Sequence, residues 1–135
     1  MHIADTKGQY RSRTFTPAFF KDQHGIILLY DVTYKDFSNE SNWIKQIVSD
    51  SKAIIVLVGN KDDEKKRKIS EEEGKTLAEK YNIGFFEISI NSGQNVKEVF
   101  EYLIEKNIEI YEKKNGIKIE NIKDDKKNEK KKCVK

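Results

Sequence analysis

The stretch AIIVLVGNKDD, residues 53–63, predicts both the fold and the position of a binding site. It begins with AIIVLV, an uninterrupted apolar run rich in β-branched side chains, which is typical of a strand buried on both faces of a parallel sheet. A glycine ends the run and polar residues follow at once. Because ligands of open α/β sheets bind beyond the carboxyl ends of the strands, the segment NKDD lies where a ligand is expected.

The flanking sequence alternates between apolar runs and segments with helical spacing. GIILLYDV (residues 25–32) and FFEIS (residues 85–89) resemble the first run, and we expect GIILLYDV also to be buried on both faces. The residues expected on the buried sides of the three helices are Trp43, Ile44, Ile47 and Val48; Leu77, Ala78 and Tyr81; and Val96, Val99, Phe100, Leu103, Ile104, Ile108 and Tyr111. Ser70 and Glu73 predict a capping box for the second helix, and the third begins near Asn95, with Glu98 three residues later. This order predicts an α/β fold with a parallel sheet of about three strands flanked by helices.

Length and charge divide the chain into one domain and a tail. The 135 residues suit a single domain, which we place at residues 1–112. Residues 113–135 carry ten lysines and four acidic residues, a net charge of +6, so the other residues together carry −3 and the whole chain +3. This composition predicts a disordered tail. Such a tail favours an acidic membrane surface. Nucleic acid is not expected, because no aromatic residues accompany the lysines.

A single cysteine, Cys133, rules out a disulfide within the chain and favours a reducing cytosol. No apolar run approaches the length of a membrane span, and the first residues do not read as a signal peptide. We therefore expect a cytoplasmic protein that meets membranes only at their surface.

The motif GNKDD has the chemistry to recognise guanine. The carboxylate of Asp63 can accept hydrogen bonds from the ring N1–H and the exocyclic amine of guanine, whereas adenine offers no such donor pair. Lys61 could lay its aliphatic stem over the base, and the amide of Asn60 could join this loop to its neighbours. The alternative is a charged surface turn within the run KDDEKKRK.

Two other polar segments complete a possible nucleotide site. SINSG, residues 89–93, should reach the same sheet edge, where backbone N–H groups could donate to guanine O6; alternatively it is only a polar loop before a helix. DTKGQ, residues 5–9, at an expected strand end, offers an aspartate for water-mediated Mg²⁺ contact, a glycine amide for phosphate and a glutamine to orient a water molecule. It could equally be a simple turn.

The segments DTKGQ, RTFTPAFFKDQHGIILLYDVT, GNKDD and EISINSGQNVKEVF occur in an order and spacing that resemble the Ras superfamily of small GTPases, and the Rab branch in particular. The resemblance implies a P-loop GTPase fold and a GTP/GDP switch of vesicle traffic that uses Mg²⁺. It also implies partners of three kinds: effectors, exchange factors and GTPase-activating proteins.

Residue roles follow from the same resemblance. The phosphate side would consist of Asp5 as the water-mediated Mg²⁺ contact, Gly8 as the γ-phosphate contact and Gln9 as the catalytic, water-orienting residue. The guanine side would consist of Asn60, Lys61, Asp63, Ser89, Ile90 and Asn91, the last standing where the family has the lysine of S-A-K. The switch II surface read by partners would contain Phe15, Phe19 and Phe20.

The sequence departs from the family pattern at both ends. The phosphate loop G-x-x-x-x-G-K-[ST] does not occur, so we expect the fold to be incomplete, with an uncovered apolar edge beside GIILLYDV, and this chain alone to be inactive in GTP hydrolysis. We interpret the chain as lacking its N-terminal part; the alternative is a catalytically dead partial Rab that serves as a decoy for partners or a non-functional relic. Cys133 resembles a prenylated cysteine, although only two residues follow it.

Overall fold

The computed structural model describes residues 2–5, 18–34, 37–61 and 64–119. Its strands are β1 (Gly25–Asp31), β2 (Ile54–Asn60) and β3 (Gly84–Ile88). Its α-helices are α1 (Ala18–Lys21), α2 (Phe37–Asp50), α3 (Glu71–Lys80) and α4 (Val96–Asn115), and a short 3₁₀ helix spans Glu64–Lys66. The predicted alternation of strands and helices is confirmed.

The three strands form one parallel sheet in the order β1-β2-β3. In the register, Asp31 of β1 pairs with Asn60 of β2, and Asn60 pairs in turn with Ile88 of β3. The strands therefore end side by side, so the loops that follow them leave the sheet at one edge.

One face of the sheet is covered by α2 and α3. Tyr30, Leu57, Ile44 and Ala78 form one buried cluster there, and Ile47 of α2 lies in a second cluster with residues of β1 and β2. The predicted helix faces are confirmed at their centres, whereas Val48 is on the margin and 37% exposed. The side chain of Trp43 lies outside the described residues.

The N-terminus of α3 is capped by the predicted capping box. The Ser70 hydroxyl accepts a hydrogen bond from the Glu73 N–H at 3.2 Å, and the Glu73 carboxylate accepts one from the Ser70 N–H at 2.7 Å. Gly74 follows in the first turn, where a Cβ atom would lie 2.4 Å from the Tyr30 hydroxyl oxygen. A glycine at this position lets α3 approach β1 closely.

The other face is covered by α4, which packs Val99 against Val56, Val58 and Ile88. The prediction that the last helix packs on the sheet is therefore confirmed, but Ile104 and Tyr111 of its expected buried face are 40% and 54% exposed. A helix that crosses only the width of a small sheet buries only the part of its apolar stripe that lies over the strands.

Both ends of α4 are shaped by residues with positive φ. Asn95 has φ 58°, and its side chain does not cap the helix but donates to the carbonyl of Glu87 at 2.8 Å. Gly116 ends the helix with φ 64°, and its N–H donates to the carbonyl of Glu112 at 2.9 Å. The helix thus includes residues 113–115, which the sequence placed in the tail.

Two expectations about strands were wrong. β1 is not buried on both faces, because Ile27 and Leu29 are 37% and 57% exposed on the side where α4 covers the neighbouring strands. Residues 2–5, expected to lead into a strand end, have no regular secondary structure, and the described β1 pairs only with β2. A strand is stabilised by ladder hydrogen bonds, and within the described ranges no strand pairs with residues 2–5.

Within residues 2–5, 18–34, 37–61 and 64–119, no helix is both long and apolar enough to cross a membrane.

Candidate functional site

Two polar loops meet at the carboxyl end of the sheet, one after β2 and one after β3. The Lys61 N–H donates to the carbonyl of Ile88 at 2.9 Å, which extends the β2–β3 ladder by one residue. The side-chain oxygen of Asn60 accepts a hydrogen bond from the Ile90 N–H at 3.3 Å. The amide of Asn60 therefore joins the two loops that the sequence predicts to lie together.

The loop after β3 is folded by its own hydrogen bonds. The Ser89 N–H donates to the carbonyl of Gln94 at 3.1 Å, and the Ser89 hydroxyl accepts from the Ser92 N–H at 3.2 Å. With the Ile90 N–H directed to Asn60 and the Gln94 N–H to the Ser92 hydroxyl, four of the described amide groups of this loop have partners within the protein. A ligand carbonyl would have to compete for them, and the bonds of Ile90 and Gln94, both 3.3 Å, are the longest of the four.

Side-chain exposure separates the residues of these loops. Ile90 is 57% exposed and Asn91 is also exposed, whereas Asn60, Lys61 and Ser89 are partly buried. Ile90 and Asn91 are therefore open to solvent, whereas the other three residues are partly covered by the protein.

The residue that follows β1, Val32, is hydrogen-bonded to both ends of the segment between Asn60 and Ile69. The Val32 N–H donates to the carbonyl of Asn60 at 3.2 Å, and the Val32 carbonyl accepts from the N–H groups of Lys68 and Ile69 at 2.8 and 3.0 Å. The segment that begins at Lys61 is therefore anchored again where it returns to the sheet at residues 68–69.

A partly buried ion pair, Arg67 with Glu87, was not predicted from the sequence. The Arg67 guanidinium donates to both oxygens of the Glu87 carboxylate, at 2.8 and 2.9 Å, and also to the Ile69 carbonyl at 3.1 Å. The Glu87 side chain is only 5% exposed and that of Arg67 24%. An acidic residue inside the apolar run FFEI was the available signal, because a buried carboxylate requires a charged or hydrogen-bonding partner.

The pair lies near the buried Tyr30. Burial raises the pKa of the neighbouring Tyr30 hydroxyl well above its ordinary value, and the negative charge of Glu87 adds to the rise. Interactions between charges are stronger in such surroundings than at the surface, and the loss of one partner is correspondingly more costly.

The phosphate side of the predicted site is described only at Asp5. Asp5 is exposed, and within the described part of the chain it belongs to no group of three or more His, Cys, Asp or Glu side chains able to hold a metal ion. The predictions for Gly8, Gln9, Asp63, Cys133 and Phe15 lie outside the described residues, as does the side chain of Phe19. Phe20 is partly buried against the cluster of Ile26, Ile47 and Ile55, and so packs within the domain rather than projecting as a free surface residue.

The chain is similar in sequence to known proteins. The model of the Ras family matches residues 1–109. The chain belongs to the Ras family. It is 43% identical over 104 residues to Ras-related protein SEC4 of Candida albicans and 43% identical over 110 residues to Ras-related protein Rab-27A of Rattus norvegicus, which covers 74% and 78% of this chain respectively. Ras-related protein RABE1e of Arabidopsis thaliana is 44% identical over 105 residues, 74% of the chain. These relatives make it a Rab-type member of the Ras family.

The matched segments cover 50% of SEC4, 50% of Rab-27A and 48% of RABE1e. The chain therefore spans about half the length of the relatives it matches.

Proposed function

We propose that this Rab-type chain binds guanine nucleotide, GTP or GDP with Mg²⁺, as part of a switch in intracellular vesicle traffic. The observation that carries the proposal is the junction of the loops after β2 and β3, where the Asn60 side chain accepts the Ile90 N–H at 3.3 Å. It brings together the two segments whose residue types suit a guanine base, at the sheet edge where α/β proteins bind ligands.

Each residue of the guanine side has a proposed task. Asp63 accepts from N1–H and the exocyclic amine, and Lys61 covers one face of the ring with its stem. Ile90 supplies an amide that turns from Asn60 to guanine O6, while Ser89 and Asn91 shape the loop around it. By the resemblance, Asp5, Gly8 and Gln9 serve the phosphate and Mg²⁺ side.

Guanine recognition is tested by displacement of a fluorescent GDP analogue from the full 135-residue chain by GDP and by ADP. We expect GDP to compete and ADP not to compete. Asp63→Asn should abolish competition by GDP, because an amide replaces one acceptor oxygen with a donor and removes the charge. Asp62→Asn makes the same chemical change one residue away and is the matched control. Equal affinity of both variants would reject the role of Asp63.

The alternative is a protein that binds Rab partners without nucleotide. It predicts no displacement by GDP in the wild-type chain together with retained binding of Rab regulators to that chain. Displacement by GDP favours the nucleotide switch, whereas regulator binding without displacement by GDP favours the decoy; both are measured on the same preparation.

Peripheral attachment to acidic membranes is the proposed location, through the lysine-rich residues 113–135 and a lipidated Cys133. Removal of residues 116–135 should release the protein from vesicles that contain phosphatidylserine. Cys133→Ser leaves the charge of the tail intact and separates lipidation from electrostatics. Persistent vesicle binding after removal of the tail would contradict this location.

A further inference from the structure

We propose that Arg67 and Glu87 are positioning residues of the guanine site, an inference that rests on the function proposed above. The pair would hold the loop after β2 and the end of β3 in one fixed relation, so that guanine-binding groups on both loops meet the base together. Neither side chain needs to touch the nucleotide for this role.

The positions of the two residues along the chain are the first support. Arg67 closes the segment that begins at Asn60 and Lys61 and contains Asp63, and Glu87 is two residues before Ser89. The ion pair therefore links the far end of one guanine-binding segment to the strand that leads into the other.

The hydrogen bonds around the pair are the second support. The Arg67 guanidinium donates to both Glu87 carboxylate oxygens and to the Ile69 carbonyl, and these three contacts fix the orientation of the planar group. The backbone carbonyl of Glu87 accepts from the Asn95 side chain at 2.8 Å, which ties the same residue to the start of α4. Glu87 is thus fixed through both its side chain and its backbone.

The third support is the length of the side-chain hydrogen bond that joins the loops directly. Asn60 and Ile90 are joined by a bond of 3.3 Å, near the long limit for an N–H···O contact. The bidentate contacts of 2.8 and 2.9 Å between Arg67 and Glu87 are charge-assisted and geometrically specific. We infer that, among the side-chain contacts, the ion pair rather than the Asn60 bond sets the spacing of the loops, in addition to the 2.9 Å backbone bond from the Lys61 N–H to the Ile88 carbonyl.

The test removes the pair while preserving packing. The double variant Arg67→Met/Glu87→Leu replaces both charges with apolar groups of similar length, a change that is often neutral for stability in buried pairs. Single removal of Arg67 would leave a buried, uncompensated carboxylate and is avoided. The control Lys106→Met/Glu109→Leu removes an exposed pair, 2.9 Å apart on α4, from the same 135-residue chain. Glu87→Gln provides a second, conservative variant.

The first readout is amide hydrogen exchange, which requires no nucleotide. The Lys61 and Ile90 amides should exchange about tenfold faster in Arg67→Met/Glu87→Leu and in Glu87→Gln, while amides in the middle of α4 keep their wild-type rates. Unchanged protection at Lys61 and Ile90 overturns the proposal. Equal acceleration throughout α4 also overturns it, because the pair would then stabilise the whole domain without positioning the loops.

The second readout is the ratio of affinities for GDP and IDP, since inosine lacks the exocyclic amine that Asp63 is proposed to bind. One hydrogen bond to a charged group corresponds to a ratio of about 10 to 100 in favour of GDP. Displacement of both loops should bring the GDP/IDP affinity ratio towards 1 in the double variant. Arg67→Lys keeps the positive charge but cannot form the bidentate contact of a guanidinium, and should show a ratio between those of the double variant and the wild type. A merely structural loss lowers both affinities equally and leaves the ratio unchanged, which overturns the proposal. If the wild-type chain binds neither nucleotide, the proposed function fails, and the exchange rates alone decide whether the pair positions the loops.

Discussion

At the scale of single residues, the site region depends on polar side chains that connect different elements of the fold. The Asn60 side chain accepts from Ile90, and the Asn95 side chain donates to Glu87, so two asparagine amides join three different elements. An asparagine can serve such a role because its side chain carries both donor and acceptor atoms. The first prediction concerns Asn60.

Asn60→Ala should lower the free energy of unfolding by about 0.5–1 kcal/mol, because it removes a partly exposed acceptor whose hydrogen bond is long. Asn60→Asp keeps an acceptor at the same position and should retain most of that stability. Urea denaturation of the purified chain measures both. Gln94→Ala is the control, since the hydrogen bonds described for Gln94 involve its backbone. Equal losses for Ala and Asp would argue against the acceptor role.

Gly74 provides a second prediction at this scale. Alanine favours helices over glycine by about 1 kcal/mol, but its Cβ would lie 2.4 Å from the Tyr30 hydroxyl oxygen and 2.7 Å from a ring carbon of Phe85. Overpacking of this kind costs about 1–3 kcal/mol, so we expect Gly74→Ala to destabilise the protein. Thermal unfolding should show a lower Tm, and Tyr30→Phe should restore part of it by removing the closest atom. The exposed change Lys75→Ala should be nearly neutral, and a stabilised Gly74→Ala variant would contradict the close approach of α3.

At the scale of elements, the helices differ in how their ends are determined. α3 begins with a capping box formed by neighbours in sequence, whereas α4 begins after an asparagine whose side chain is used by β3. Local sequence therefore predicts the start of α3 from its own residues. The start of α4 depends on contacts with the sheet.

Ser70→Ala should lower stability by about 1 kcal/mol, because the Glu73 N–H loses its acceptor at the helix N-terminus. Glu73→Ala removes the reciprocal bond to the Ser70 N–H, and the double variant should lose less than the sum of the two single variants because the bonds belong to one motif. Urea denaturation gives the three values. Glu72→Ala, in the same turn and outside the capping box, should cost only a few tenths of a kcal/mol through the helix dipole. Strict additivity would show that the two bonds act independently.

At the scale of the whole molecule, the distribution of helices over the sheet leaves one strand incompletely covered. β2 is buried on both faces between α2 and α3 on one side and α4 on the other. β1 pairs only with β2 within the described part of the chain, and Leu29 is 57% exposed. A strand edge with exposed apolar side chains promotes self-association.

Leu29→Lys should therefore reduce concentration-dependent association of the chain, because a lysine on an edge strand opposes pairing with another edge. Because the side chain is more than half exposed, the free energy of unfolding should change by less than about 1 kcal/mol. Sedimentation velocity over a range of concentrations measures the effect. Tyr34→Lys introduces the same charge at a residue that is 75% exposed and outside the strands, and should leave association unchanged. If Leu29→Lys and Tyr34→Lys reduced association equally, the reduction would be due to net charge and not to the strand edge.

The sequence by itself determined the type and order of the elements. Apolar runs of the length of a strand, helical spacing and a capping box involve residues close together in the chain, so the three strands and helices α2, α3 and α4 could be predicted to within a few residues. It also predicted that the loops after β2 and β3 adjoin, because parallel strands end at a common edge.

Only the tertiary structure decided which of these apolar and polar groups find partners. GIILLYDV and AIIVLV look alike in sequence, yet only the second is covered on both faces, since coverage depends on where α4 lies. Asn95 was expected near a helix start and serves β3, and Arg67 within a lysine-rich run reaches a carboxylate 20 residues away. These outcomes rest on packing and desolvation between distant segments, energies that local patterns do not contain.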